Sequence, residues 1–69
     1  MTHNIYKTIE ITGTSDESIE DAVNRAITKA GETVRHMRWF EIIETRGTID
    51  EDQVALWQVT LKIGFTLED

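Results

Sequence analysis

Cysteine and proline are both absent from the 69-residue chain. Without thiols, the protein can form neither a disulfide nor a thiolate metal site. Its two histidines, His3 and His36, lie far apart in the sequence with no companion ligand spacing, so we expect no metal site. A domain this short buries only a small part of its surface, and association of several copies is the remaining means of stabilisation. We therefore predict a homo-oligomer.

The chain also lacks long apolar runs and an excess of basic residues. No stretch approaches the ~18 apolar residues of a membrane-spanning helix, and residues 1–4 do not resemble a secretory signal. The formal net charge is −6, from 13 acidic and 7 basic residues. This charge disfavours nucleic acid and anionic membranes as partners, because both would repel the subunit. We expect a cytoplasmic protein.

The first half of the chain predicts a strand and a helix within a single domain, residues 1–69. Residues 5–12 alternate in polarity and are rich in β-branched side chains, which is typical of a strand that Gly13 then ends. A capping box from Thr14 to Glu17, with Ser15 as a competing N-cap, indicates a helix start. The apolar stripe that follows predicts one buried helix face and consists of Ile19, Ala22, Val23, Ala26, Ile27, Ala30 and Val34.

The second half predicts two further strands. Residues 37–48 begin with apolar side chains at both parities, which is typical of a strand covered on both faces. One helix covers only one face of a sheet, so a partner surface or a ligand is expected on the other. Residues 47–53 supply a turn with an acidic tip. The third strand alternates, and its expected helix-facing row is Ala55, Trp57, Val59, Leu61, Ile63, Phe65 and Leu67.

Chain direction determines the predicted topology. A strand, a returning helix and a second strand leave the first two strands running the same way, and the hairpin then reverses the third. Placing the third strand between the other two makes every neighbouring pair antiparallel. We predict an α+β fold: a β-α-β-β subunit with a three-stranded antiparallel sheet in the order 1-3-2 and the single helix packed on one face.

Trp39 and Gln58 are the candidate binding residues on the face without the helix. Strand alternation that packs Phe40 and Ile42 under the helix turns Trp39 outward, together with Glu41 and Ile43. Gln58 faces outward from the third strand by the same rule. We expect an aromatic plate beside an amide, which suits a planar heteroaromatic ligand. The residues alone leave two alternatives open: Trp39 as an oligomer-interface anchor without a ligand, and Gln58 as a solvent-facing glutamine.

At this point the chain resembles the dodecins, a family of small flavin-binding proteins, over nearly its whole length. The residues that carry the resemblance are Tyr6-Lys7, Ile9-Glu10-Ile11-Thr12-Gly13-Thr14-Ser15, Ala30-Gly31-Glu32-Thr33, Arg38-Trp39-Phe40-Glu41, Thr45-Arg46-Gly47, Trp57-Gln58-Val59-Thr60 and Gly64-Phe65-Thr66-Leu67-Glu68. Their order and spacing are specific, although no single tetrapeptide decides the match.

The resemblance implies a hollow homododecamer that holds flavin, FMN or riboflavin, in antiparallel pairs between tryptophans of neighbouring subunits. Trp39 would stack on the isoalloxazine and quench its photochemistry, and Gln58 would hydrogen-bond its pyrimidine edge. Arg46 and Glu41 are further candidate contacts, although such residues are more often solvated or ion-paired at a subunit seam. Some bacterial members carry arginine where this chain has Thr66, which leaves the choice between FMN and riboflavin open.

Three classes of function follow from these observations. The leading hypothesis is flavin storage and sequestration, without enzymatic turnover, because the sequence offers no nucleophile–base pair and no glycine-rich phosphate loop. The alternative is a ligand-free structural oligomer or interaction module. A small flavin-dependent enzyme is the least favoured, because a flavin stacked on another flavin and an indole has no face open to a substrate.

Overall fold

The protein folds as β1 (Tyr6–Ser15), α1 (Ile19–Ala30), β2 (Met37–Asp50) and β3 (Gln53–Thr66). The structure is a computed structural model that describes residues 3–67. The ends of the predicted 1–69 domain, including Glu68 of the quoted C-terminal run, lie outside the described residues. The sheet has the order β1-β3-β2 with both neighbouring pairs antiparallel. The predicted α+β fold and its 1-3-2 strand order are confirmed.

The core lies between α1 and the central strand. Ala22, Val23 and Ala26 of the predicted helix stripe are buried against the middle of β3. The β3 side chains in this core are Val59, Leu61 and Ile63. The helix ends at Ala30, with Gly31 as its C-cap, so Val34 of the predicted stripe lies beyond it. Within residues 3–67, no helix has the length and apolarity needed to cross a bilayer.

The prediction that Gly13 ends the first strand was wrong, because β1 continues through it to Ser15. Gly13 is instead the point of closest approach between β1 and α1. A Cβ atom there would lie 2.5 Å from the carbonyl oxygen of Ala22 and 2.8 Å from the Cβ of Ala26. Glycine is required at this position because the helix leaves no room for a side chain.

The helix begins later than the predicted capping box from Thr14 to Glu17. Its N-cap is Ser18, whose hydroxyl accepts a hydrogen bond from the backbone N–H of Asp21 at 2.9 Å. Ser15 is not the N-cap. Its buried hydroxyl accepts from the backbone N–H of Glu17 at 2.9 Å and donates to Oδ2 of Asp21 at 2.6 Å. Ser15 thereby joins the end of β1 to the first turn of α1.

The helix covers β1 and β3 and leaves β2 uncovered except at Met37, where the strand begins. Phe40 and Ile42 were predicted to pack under it, and they do lie on the helix side of the sheet, opposite Ile63 and Leu61. They remain 48% and 44% exposed, because α1 packs along the other two strands. The predicted burial of β2 on both faces is therefore not achieved within one subunit.

The β2–β3 hairpin extends beyond the body of the subunit as an arm, residues 48–56. Gly47 was predicted to open the turn, but it lies within β2 and pairs with Trp57. The turn consists of Glu51 and Asp52 alone, both with positive φ, 52° and 64°, as in the type I′ turns of tight hairpins. The arm exposes apolar side chains, with Ile49 78% exposed. These side chains are available to another copy of the chain.

The turn makes a prediction about stability. Asp52 has a left-handed backbone conformation that glycine adopts without the steric cost borne by other residues. We expect Asp52→Gly to raise the free energy of unfolding by up to about 1 kcal/mol. Urea denaturation at fixed protein concentration measures the change.

Asp50→Gly is the matched control, because it removes a carboxylate from the same hairpin end at a position within β2. It should lower the free energy of unfolding by about 0.5–1 kcal/mol, since glycine is unfavourable within a strand. Equal effects of the two substitutions would contradict the conformational explanation.

Candidate functional site

The face of the sheet that points away from α1, here called the open face, carries the predicted binding residues. In an antiparallel sheet, residues directly opposite each other project from the same face. Phe40 pairs with the buried Ile63, and Trp39 pairs with Gly64. Alternation therefore places Trp39 on the open face, as predicted from the sequence. Glu41 lies on the same face and pairs with Lys62.

The indole of Trp39 lies across β3 on the backbone of Gly64. A Cβ atom built on Gly64 would overlap Cε2 and Cζ2 of the indole and lie 2.7 Å from Cδ2. Such overlap requires the six-membered part of the ring to rest directly over the glycine. Tyr6 meets the indole from β1 in an edge-on contact, with ring centroids 5.9 Å apart and planes at 64°. Trp39 as a whole residue is 38% exposed, although one side of its indole is covered by Gly64.

Gln58 lies in a polar cluster at the other end of the open face. It pairs directly with Arg46 on β2 and with Thr14 on β1. Nη2 of Arg46 donates to Oε2 of Glu44 at 2.8 Å in an exposed ion pair. Such an exposed pair contributes little to stability, and the amide of Gln58 lies on the strand directly opposite Arg46.

A β-bulge explains how Arg46 comes to lie beside Gln58. Strict alternation from Trp39 would place Ile43 on the open face and Arg46 on the helix side. The register shifts between Ile42 and Glu44, so that Ile43 is passed over in the ladder. Glu44 and Arg46 thereby move to the open face, and the predicted outward alternation of Ile43 with Trp39 is not maintained.

Trp39 and Gln58 share a face but do not meet within one subunit. The cross-strand partner of Trp39 is Gly64, six residues from Gln58 along β3. At about 3.3 Å per residue, this separation is roughly 20 Å. Glu41 lies near Trp39 and Arg46 lies near Gln58. The four predicted site residues thus form two half-sites: an aromatic half-site around Trp39 and a polar half-site around Gln58.

The depressions bordering β2 lie away from the polar half-site. One, of about 150 Å³, is lined by residues that include Ile27, Met37 and Trp39. A larger groove of about 470 Å³ runs between α1 and the exposed Phe40 and Ile42. Ligand pockets of the usual size, about 300–1,000 Å³, combine apolar walls with a few polar groups. Neither depression includes Gln58 or Arg46, so neither unites the two half-sites.

Three neighbours of the predicted residues were missed in the sequence. Gly64 and Tyr6 contact the indole of Trp39, and Glu44 forms an ion pair with Arg46. A glycine inside an otherwise alternating strand was a usable signal for Gly64, because such glycines often mark a close approach. Among the described residues, no three histidine, aspartate or glutamate side chains converge on a point suited to a metal ion.

Comparison with known proteins agrees with this architecture. The sequence model of the Dodecin family matches residues 5–68. The chain is 48% identical to the dodecin of Thermus thermophilus over 65 residues, covering 94% of each sequence. The solved structure of Streptomyces coelicolor dodecin superimposes with a TM-score of 0.93 at 45% identity, covering 100% of this chain and 99% of that one.

A more distant similarity connects the chain to a protein whose name specifies a ligand, calcium. The calcium dodecin of Mycobacterium tuberculosis is 30% identical over 64 residues, covering 93% of this chain and 90% of the relative. Its crystal structure, described as having a novel calcium-binding site, gives a TM-score of 0.80. Calcium is thus the ligand in the name of one relative of this fold.

Proposed function

The chain belongs to the dodecin family, and from that premise we propose that it is a flavin-binding storage and sequestration protein. The observation that carries the proposal is the indole of Trp39, which rests on Gly64 and turns its other side outward from the open face. A large aromatic surface in this position is suited to stack on a second planar ring.

The ligand that fits both half-sites is a flavin, FMN or riboflavin. Its tricyclic isoalloxazine offers a planar surface to Trp39, and its pyrimidine edge presents donors and acceptors that match the amide of Gln58. Stacking on an electron-rich indole also quenches the excited flavin, which limits photochemical damage. Some bacterial members of the family carry arginine where this chain has the uncharged Thr66, which lies opposite Tyr6 on the open face. Arg46 is therefore the candidate here for holding a phosphate.

The separation of roughly 20 Å between the half-sites implies that each flavin contacts at least two copies of the chain. In the arrangement that the family resemblance implies, flavins pair antiparallel between tryptophans of neighbouring subunits. The indole would then come from one copy, and the amide of Gln58 from another. This arrangement explains why one chain carries all four site residues without assembling them.

We propose that the assembly is a hollow homododecamer. Phe40, Ile42, Ile49 and Val54 are each more than 40% exposed in the single chain, and apolar side chains in such numbers mark a surface used for association. The family resemblance supplies the number of subunits. A ligand-free structural oligomer, in which Trp39 only joins subunits, is the competing function.

Binding without turnover is the activity we propose. A flavin held between an indole and a second flavin has both faces covered, so no substrate can approach its reactive atoms. The decisive experiment is to purify the oligomer under native conditions, extract any chromophore and identify it by mass. A yellow, weakly fluorescent oligomer that releases FMN or riboflavin supports the proposal. A colourless oligomer that neither quenches added flavin nor binds it would favour the structural alternative.

The first prediction concerns the stacking residue. Aromatic stacking on a planar base is worth about 1–3 kcal/mol, so Trp39→Ala should weaken flavin binding by roughly 10- to 100-fold and abolish fluorescence quenching. Equilibrium dialysis against riboflavin measures the affinity, and riboflavin fluorescence measures the quenching. Trp57→Phe is the matched control, because Trp57 pairs with Ser15 and Gly47 on the helix side of the sheet. Unchanged affinity in Trp39→Ala would refute stacking.

The second prediction concerns the composition of the site. Gln58→Ala should weaken flavin binding about tenfold, since a ligand edge loses its hydrogen-bond partner. Oligomers refolded from a mixture of Trp39→Ala and Gln58→Ala chains should contain some intact sites, because each variant supplies the side chain that the other lacks.

The mixed oligomer is titrated at a flavin concentration that leaves both parent variants empty. Recovery of quenching supports a site shared between copies. A mixture of the two variants assembled separately is the control and should show no recovery. If the mixed oligomer also fails to bind, the indole and the amide do not come from different copies.

A further inference from the structure

We propose that Gly64 and Tyr6 are positioning residues of the flavin site: they hold the indole of Trp39 flat on the open face. The inference rests on the proposed function for its ligand. The position of the indole can be measured without any ligand, so the two can fail separately.

The backbone at Gly64 does not by itself require glycine. None of the glycines within residues 3–67 has a positive φ, so an alanine would adopt the same backbone conformation. Gly64 also lies in the interior of β3, where glycine is unfavourable relative to residues that bear side chains. The reason for glycine at this position must therefore lie in the space above it.

That space is occupied by the indole. A Cβ atom on Gly64 would overlap Cε2 and Cζ2 of Trp39, two atoms of the six-membered ring. The ring is rigid and cannot give way locally, so the entire side chain would have to rotate or lift from the strand. Glycine at position 64 thus sets the height of the indole above the sheet, and with it the plane on which a ligand stacks.

Tyr6 limits the movement that remains. Its ring approaches the indole at 64° with a centroid separation of 5.9 Å, the edge-on geometry that aromatic pairs prefer. Tyr6 lies on β1 and Trp39 on β2, so their contact spans the central strand. The indole is therefore supported from below by Gly64 and from the side by Tyr6.

A purely structural explanation makes a different claim. An aromatic ring over a cross-strand glycine stabilises a sheet by covering exposed backbone. In that case the role of the indole is to shield the backbone of Gly64 from water. The methyl group of an alanine at position 64 would shield the backbone in its place, and ligand binding would not change. The two explanations differ in what Gly64→Ala does to flavin binding.

The experiment uses the full-length oligomer in a Trp57→Phe background, where Trp39 is the sole tryptophan. In the absence of flavin, acrylamide quenching and fluorescence anisotropy report the exposure and mobility of the indole. Riboflavin titration then reports affinity and quenching. Gly31→Ala is the matched control, because Gly31 has an ordinary helical φ of −64° and a Cβ there would meet only the flexible end of Met37 at 3.3 Å among side chains.

We expect Gly64→Ala to leave the oligomer assembled, to make the indole more accessible and mobile, and to weaken riboflavin binding by roughly tenfold or more, in proportion to lost stacking. Gly31→Ala should change neither measurement. Unchanged indole accessibility, or unchanged affinity despite a displaced indole, would overturn the positioning role. If the parent protein binds no flavin, the proposed function fails, and indole accessibility still tests the support by Gly64.

Tyr6 provides an independent test should Gly64→Ala not assemble. Tyr6→Leu removes the aromatic edge and should weaken riboflavin binding by roughly 2- to 10-fold, with increased mobility of the indole. Tyr6→Phe retains the ring, so it should rescue both measurements. Equal loss in Tyr6→Leu and Tyr6→Phe would assign the effect to the hydroxyl group and contradict support by the ring. No loss in Tyr6→Leu would also overturn its positioning role.

Discussion

The constraint on which the rest of the structure depends is that α1 is one helix and the sheet has three strands. The close approach at Gly13 holds the helix against β1 and β3, where it seals the core of alanines on Val59, Leu61 and Ile63. Within residues 3–67, no further element covers β2 beyond Met37, which packs against the core at the start of the strand. Phe40 and Ile42 stay exposed on the helix side, and the arm beyond them carries further apolar side chains. A chain this small has no second layer of its own, and exposed apolar side chains in such numbers mark a surface suited to association.

The open face divides the chemistry of recognition between two ends of the same sheet. The aromatic half-site depends on a close contact, in which the indole of Trp39 lies on Gly64 with Tyr6 at its edge. The polar half-site depends on an irregularity, the bulge at Ile43, which brings Arg46 opposite Gln58. The aromatic half-site supplies a surface for stacking, and the polar half-site supplies hydrogen-bonding groups. Ligand pockets generally combine the two, and the proposed shared site would combine them through association of subunits.

Much of this fold could be predicted from hydrophobic periodicity, and the site only in part. The row from Val59 to Ile63 and the stripe around Ala22 identified the core, and the direction of the chain determined the strand order. The outward position of Trp39 followed from alternation. Alternation cannot indicate where a strand skips a residue, so the bulge at Ile43 was missed. Periodicity is also blind to turn conformation and to distances along a face. The two-residue turn at Glu51, and the separation of Trp39 from Gln58, therefore required coordinates.

The distance between the two half-sites has a thermodynamic consequence. A ligand that contacts two copies binds the assembled protein and not the single chain. Its binding free energy therefore adds to the free energy of subunit association. Under the proposed function, a high flavin concentration would stabilise the oligomer against dissociation, and a low concentration would leave it less stable. The bound ligand would stabilise the contacts between the subunits that hold it, so the stability of the oligomer would rise and fall with the flavin concentration.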